Sequence, residues 1–273
     1  MKLAVISDIH GNLPALQAVL ADIATQGVGQ TVNLGDILSG PLQPAETADL
    51  LMARNLTTIR GNHERQVLDL IDQGQPFDPL STDGYTAGQL TAAQCEWIRS
   101  LPARLELAGG DVLLCHGTPQ SDLIYWLETT EPGFTGEFTG EGAAHPTGHP
   151  TGIRPATSGE VAQRLGAAGQ AGHSLILCGH THVPRMVQCG EVLIVNPGSV
   201  GLQAYDDEHP HPHVVENGAP HARYAIVEKT GLGWQVDLRA VPYGHLAQSR
   251  VAAGRGRADW AYALATGWAK RNA

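Results

Sequence analysis

Five short clusters of Asp, His and Asn punctuate the 273-residue chain: Asp8-Ile9-His10, Gly35-Asp36, Gly61-Asn62-His63-Glu64, His116-Gly117 and Gly179-His180-Thr181-His182. Carboxylate, imidazole and carboxamide oxygens suit manganese, iron or zinc, and the clusters hold donors enough for two ions, with one Asp placed to serve both. Two cations roughly 3.5 to 4 Å apart relieve the repulsion between an anionic phosphate ester and its nucleophile, and acidify a bound water. No Cys stands in the clusters, which argues against a closed structural zinc site. Singly the clusters are weak signals: Asp-x-His after a strand reads as a solvated turn, and Asn62 could cap a helix. Five in order outweigh those readings.

Each cluster stands where a strand is predicted to give way to a loop. Residues 2 to 7 read as a buried strand. Asn12-Leu13-Pro14 then opens a helix, with an N-cap candidate and Pro in the first turn, a stripe of Leu16, Val19, Leu20 and Ile23, and Gly27 as its stop. Thr31 to Leu34 is a second strand, Ala45 to Arg54 a helix and Thr57 to Arg60 a third strand, the alternation of a layered α/β protein. Ligand clusters after successive strands fit the rule that sites collect at the strands' carboxyl ends. Arg104 to Ala108, a Gly-Gly-Asp turn and Val112 to Cys115 form a hairpin pattern, which implies a second sheet. Segments at 174–178, 186–188, 192–195, 224–228 and 234–238 continue that strand-rich half.

Two segments look inserted. From Glu128 to Pro155 the chain is crowded with Gly, Pro and Thr and reads as a long surface loop, near enough to His116 to act as a lid. From Tyr205 to His221 runs an acidic, His-rich tract whose prolines predict a mobile rim without regular pairing, and no third metal site at His209, His211 and His213. From His245 onward the chain reads as helix. A formal charge of −10 disfavours stable nucleic-acid binding. No leader pattern and no membrane-length apolar run stand in the sequence, so the expectation is a cytoplasmic protein without a membrane partner. The four scattered cysteines predict no disulfide.

In this order, and from Asp8 to Ser199, the clusters resemble the calcineurin-like metallophosphoesterase superfamily. The resemblance implies a four-layer α-β-β-α sandwich, two mixed β-sheets packed face to face with helices outside; the chain's length predicts one domain over 1–273, with the insertions near 128–155 and 205–221 exceeding the family's usual pattern. The resemblance also implies two divalent metal ions, Mn2+ first with Fe, Zn, Ni or Mg as alternatives. Asp8, His10, Asp36 and His182 would hold the first ion; Asp36, Asn62, His116 and His180 would hold the second, with Asp36 bridging. A metal-bridging hydroxide would attack phosphorus in line, and His63 would contact the phosphate and assist the leaving group. Asn62 and His63 would bind substrate. Asn12 is a further candidate, equally explained as an N-cap, and Glu64 would orient its neighbours.

Ser7 to Asn12, Gly35 to Pro41, His116-Gly117-Thr118-Pro119 and Asn196-Pro197-Gly198-Ser199 are similar to the small bacterial phosphodiesterases and diadenosine polyphosphate hydrolases of that superfamily. Leu38-Ser39-Gly40 replaces the Asp-Arg-Gly run of protein Ser/Thr phosphatases. The expected activity is a dinuclear phosphodiesterase on nucleotide-like or other small phosphate esters. A phosphomonoesterase or protein phosphatase, and a non-catalytic scaffold on the same fold, are the alternatives. Tyr125 and Trp126 follow His116 closely enough to line a cleft, with a core role expected for at least one.

Overall fold

Alternating side chains of the first strand divide the interior into layers. In β1 (Lys2–Ile6), Leu3 and Val5 face one cluster of buried residues while Ala4 and Ile6 face another. The computed structural model describes residues 1–74, 76–132 and 151–270. After β1 come α1 (Leu13–Ala24), β2 (Gln30–Asn33), α2 (Pro44–Arg54), β3 (Thr57–Thr58), α3 (Asn62–Gln73), α4 (Thr82–Ala87) and α5 (Ala92–Ser100). Then follow β4 (Arg104–Leu107), β5 (Val112–Cys115), β6 (Glu128–Thr130), β7 (Ile153–Pro155), α6 (Ser158–Leu165), β8 (Leu175–Leu177), β9 (Arg185–Cys189) and β10 (Val192–Asn196). The chain closes with β11 (Ala204–Asp207), β12 (His213–Glu216), β13 (Ala222–Thr230), β14 (Gly233–Val241), α7 (His245–Gly254) and α8 (Ala258–Thr266).

One five-stranded sheet runs β14-β13-β1-β2-β3 and the other β4-β5-β8-β10-β9. β1, β2 and β3 are parallel, as are β5, β8 and β10, while β4, β9, β13 and β14 pair antiparallel. Between the sheets lie Leu3, Val5, Val32 and Ala225 against Val112, Leu114, Leu177 and Val195. α1, α2 and α5 cover the outer face of the first sheet, and α6 with Trp126 covers the second. This is the expected four-layer sandwich. Each fully buried Val, Leu or Ile contributes roughly 1.5–3 kcal/mol, so the two strands beneath Asp8 and Asp36 are held mainly by this apolar packing.

Local signals set the helix ends. The Asn12 side chain accepts the Ala15 N–H at 3.3 Å and opens α1, whose buried stripe is Leu16, Val19 and Ile23. Thr157 and Glu160 form a reciprocal capping box at α6. Asn55, left-handed at φ 47°, ends α2.

Four expectations need correction. The segments at 224–228 and 234–238 belong to β13 and β14, which complete the first sheet by pairing along β1 instead of extending the second. The stretch from Glu128 to Pro155 is not loop throughout, because its two ends pair as β6 and β7; residues 133–150, and with them the central part of the suggested lid, lie outside the described residues. The C-terminal stretch is two helices, broken at Arg255-Gly256-Arg257, with Gly256 at φ 80°. The tract from Tyr205 to His221 opens with regular pairing, β11 against β12 from Ala204↔Glu216 to Asp207↔His213. Its prolines 210 and 212 lie in the turn between those strands, where no ladder N–H is required of them.

His213 is accordingly no solvated side chain. It is 1% exposed, with Nδ1 2.8 Å from the His211 carbonyl and Nε2 2.9 Å from the Tyr125 hydroxyl. His213→Ala is therefore expected to cost about 1–3 kcal/mol by leaving a buried cavity and removing one of the partners of the Tyr125 hydroxyl, while His209→Gln, at a side chain 91% exposed, should stay within about 0.5 kcal/mol. Urea unfolding of the two variants checks this; equal losses would mean that the hairpin is not packed as described.

Candidate metal centre and the cavity above it

The five clusters converge where the parallel strands of both sheets end. Asp8 and His10 follow β1, Asp36 follows β2, Asn62 follows β3, His116 follows β5, and His180 and His182 follow β8. Seven non-glycine residues among those described have positive φ, and five of them are Asp8, His10, Asp36, His180 and His182, at 51° to 71°. L-residues adopt this region reluctantly, at of order 1–3 kcal/mol each, so the surrounding bonds must hold them there. Asp8 N–H donates to the Gly35 carbonyl at 3.0 Å, His10 N–H to the Asp36 carbonyl at 3.1 Å, and Gly179 N–H to the His116 carbonyl at 2.7 Å. Glycine is required at 35 and 61, because a Cβ on Gly35 would stand 2.3 Å from the Gly61 nitrogen.

Two groups of ligand atoms result, Asp8, His10 and His182 in one and Asp36, His116 and His180 in the other, each with its atoms within 4.8 Å of one another. The Nδ1 atoms of His10, His116 and His182 lie 2.7, 2.8 and 2.8 Å from the carbonyls of Ser39, Leu34 and Leu202. Those bonds put a proton on Nδ1 and turn each Nε2 inward. His10 Nε2 and His182 Nε2 then meet at 3.0 Å, lone pair to lone pair, an arrangement that a shared cation resolves. Burial pushes His10 down to about 4 and His180 to about 3, and holds His182 well below the usual imidazole range, so all three are neutral.

The acids complete the fit. Burial, with the Asp36 charge, lifts Asp8 to about 7. Asp36 is held well below the ordinary carboxylate range in spite of burial, because His116, His63 and His10 surround it. Burial opposes a charge on His116, but Asp36, 3.0 Å away, raises it to about 9. Asn62 Oδ1 stands 3.1 Å from His116 Nε2, and its Nδ2 donates to Gln66 at 3.1 Å. Imidazoles, two carboxylates and an amide oxygen converging in a buried space are a donor set that fits divalent cations, and the proton that Asp36 holds on His116 is one that a cation would displace.

Glu64 accounts for the placement of Asp36. Its carboxylate, 1% exposed, accepts the N–H groups of Asp36, Ile37 and Gly61, all at 2.8 Å, and so ties the loop after β2 to the start of α3. His63 N–H donates to Asp36 Oδ1 at 3.0 Å, and its Nδ1 lies 2.8 Å from Asp83 Oδ1, which Ser39 Oγ approaches to 2.5 Å. Burial opposes a proton on the His63 ring, yet Asp36, Asp83 and Glu64 outweigh it and hold the group up to about 10. With Nδ1 taken by Asp83, Nε2 is the atom left for a substrate. Asn12 is a different case and a correction: it is 0% exposed, and its side chain is spent on Ala15 N, Gly201 O and the Tyr243 hydroxyl. No polar atom of Asn12 remains for substrate.

Above these residues opens a cavity of about 800 Å³, with His10, Asp36, Asn62, His63, His180 and His182 at its base. Tyr125 lines it, its ring edge-on to His180 at 4.8 Å, whereas Trp126 is buried in the outer core. Tyr205 stands edge-on to His182 at 4.7 Å, and the Tyr125 and Tyr205 hydroxyls are 2.7 Å apart. Trp260 of α8 meets His10 at 5.9 Å. The places of Asp83, Tyr205 and Trp260 at the site are not legible in the sequence. Asp83, in the first turn of α4, looks like an ordinary helix-start acid; Tyr205 stands at the edge of the acidic, His-rich tract that reads as a solvated rim, and Trp260 lies on a predicted helix where an aromatic reads as a core contact.

A model of the calcineurin-like phosphoesterase superfamily domain matches residues 1–216. Among curated proteins, an uncharacterized protein of Methanocaldococcus jannaschii is 32% identical over 127 residues, 45% of this chain and 52% of its own length. The phosphodiesterase YfcE of Escherichia coli K12 is 40% identical over 77 residues, 24% of this chain and 42% of its own. The chain thus spans about half or less of the length of the curated relatives it matches. The crystal structure of a metallophosphoesterase from Sphaerobacter thermophilus shares the fold with a TM-score of 0.69 at 24% identity, covering 98% of this chain and 100% of that one.

Because Glu64 makes three buried hydrogen bonds to N–H groups, Glu64→Gln turns one acceptor into a donor facing a donor. The expected cost is about 2–4 kcal/mol in denaturant unfolding, together with weaker Mn2+ binding by calorimetry through the displaced Asp36. Unchanged stability and affinity would remove Glu64 from the frame of the site.

Proposed function

The chain belongs to the calcineurin-like phosphoesterase superfamily, and from that premise we propose that it is a metal-dependent phosphoesterase, with phosphodiesters of small molecules as its substrates. The observation that carries the reading is Asp36: it sits with His116 and His180 in one ligand group, bears on His10 of the other, and accepts from the backbone of His63. Asp8, His10, Asp36 and His182 would hold one divalent ion, and Asp36, Asn62, His116 and His180 a second. When bound, such a pair would acidify a water and take up phosphoryl charge. Manganese is the first expectation, since hard carboxylate and amide oxygens are mixed here with imidazole.

The chain's own residues do the rest. The three carbonyl-tied imidazoles keep their Nε2 atoms aimed without rotation at the moment of reaction. His63 presents Nε2 to the cavity while Asp83 holds the far side of the ring, the geometry of a group that hands a proton to a departing oxygen. Asn62 and His63 together would contact the bound phosphate. We also take residues 1–273 as one domain, because the segments after Glu216 complete the first sheet through β13 and β14 and one wall of the cavity through α8.

Metal-stripped protein titrated with Mn2+ should bind two ions by elemental analysis, and Asp36→Asn should weaken both and abolish most turnover. Saturation at one ion would contradict the paired arrangement. His63→Ala is expected to keep both ions and lose about 10²- to 10⁴-fold in kcat, less for a leaving group of low pKa. Equal losses on good and poor leaving groups would make His63 a phosphate contact and not a proton donor.

A further inference from the structure

A phosphoryl group occupies a small part of a cavity of about 800 Å³, so most of that space is shaped for what the phosphate carries. Its wall is predominantly apolar. Next to the second ligand group, Leu123 and Ile124 are 52% and 48% exposed, among the large apolar side chains most open to solvent in the described residues. They are not on a loose loop. Asp122, immediately before them, accepts two hydrogen bonds from Arg65 of α3 at 3.0 and 3.0 Å, and the Leu123 carbonyl accepts from His180. Gly117 packs so closely under this turn that a Cβ there would lie 2.8 Å from the Ile124 carbonyl. Two apolar side chains are thus held rigidly in the open beside the reacting centre. Solvated leucine and isoleucine gain nothing there unless something apolar covers them.

On the side of the first ligand group the facing wall is apolar too, built from Leu202, Trp260 and Ala263 of the C-terminal core cluster. Charged groups on the cavity wall give no net welcome to a second anion. Arg257 is already paired with both carboxylate oxygens of Asp259, Arg164 spends its donors on the Trp126 and Glu128 carbonyls and Thr129, and Lys270, the third cation of the wall, is set against the lining carboxylates of Glu128 and Asp259. Asp206 and Asp207 of β11 bring carboxylates to the same wall.

We infer that the cavity selects diesters whose second arm is uncharged and largely apolar, seated against Leu123 and Ile124, and that it disfavours polyphosphates. The inference rests on the phosphoesterase reading and narrows it to a substrate class. A nucleoside and an alkyl or acyl-glyceryl group share this chemistry, and the substrates below separate them.

The test measures kcat/KM for a series of p-nitrophenyl alkyl phosphates from methyl to octyl, for a nucleoside 5′-p-nitrophenyl phosphate, and for a dinucleoside tetraphosphate, all with Mn2+-loaded protein. A rise of about two- to fourfold per added methylene until the wall is filled is expected for an alkyl arm; a nucleoside ester at least tenfold better than the methyl ester would identify a nucleoside arm. Either result supports the inference. In Ile124→Asp, and independently in Leu123→Asp, the ratio of long-arm or nucleoside ester to methyl ester should fall toward one, with folding checked by circular dichroism. A flat series with measurable turnover, a tetraphosphate cleaved better than any monoanionic diester, or a ratio unmoved in both variants would overturn it. Absence of hydrolysis for every ester, the methyl ester included, would instead overturn the phosphoesterase reading on which it rests.

Discussion

Burying the Asp36 carboxylate among imidazoles is the constraint that the surrounding backbone serves. An ionised carboxylate away from water is sustained only where donors and opposite charge converge on it, and here His63 N–H, His116 and the neighbouring histidine rings supply them. That arrangement demands that loops from strands of both sheets approach within hydrogen-bond distance of one another. The two sheets are therefore packed so that their parallel strands end at one place, and the apolar layer of Leu3, Val5, Leu114 and Leu177 fixes the separation.

The cost of this convergence is visible in the backbone. Five site residues sit in the left-handed region, where glycine would be easier on the chain, yet each needs its side chain. Glu64 holds the loop carrying Asp36, and Asn196 and Ser199 do comparable service for the other face. Asn196 Nδ2 donates to the Gly179 carbonyl at 2.8 Å, and Ser199 Oγ donates to the Asp8 carbonyl at 2.7 Å. Residues that never touch the reacting atoms thus set where those atoms lie, and the Asn-Pro-Gly-Ser run has this work to do.

The ligand residues were legible in the sequence because each follows an apolar run, and a polar donor at a strand's carboxyl end has few other uses there. Asp83 was not, because twenty residues and a helix start separate it from His63, and nothing local distinguishes it from a capping acid. His213 was misread for a related reason: flanking acids and prolines describe its neighbours, while its burial is decided by Tyr125, far away in the chain. The apolar run of β13 and the alternation of β14 announced strands correctly. Such patterns are the same whichever sheet receives a strand, so they could not say that the pair would close the first sheet. Helices α3 to α5 went unmarked because α3 begins inside a ligand cluster, where Asn62, His63 and Glu64 draw the eye from the Val67 and Leu68 stripe.

That closing pair has a bearing on how the molecule comes into being. β1 lies between β2, a near neighbour in sequence, and β13, with Leu3 set against Val227. One edge of the strand that leads into Asp8 therefore stays open during synthesis until the last quarter of the chain has been made. Pairing across so long a separation is entropically slow, and an apolar strand edge left waiting is prone to associate with other chains. The reacting centre, though four of its five clusters are translated within the first 117 residues, is on this account among the last parts of the protein to acquire its final form, and a ribosome-stalled chain ending before Ala222 should show the β13-facing amides of β1 unprotected in hydrogen exchange.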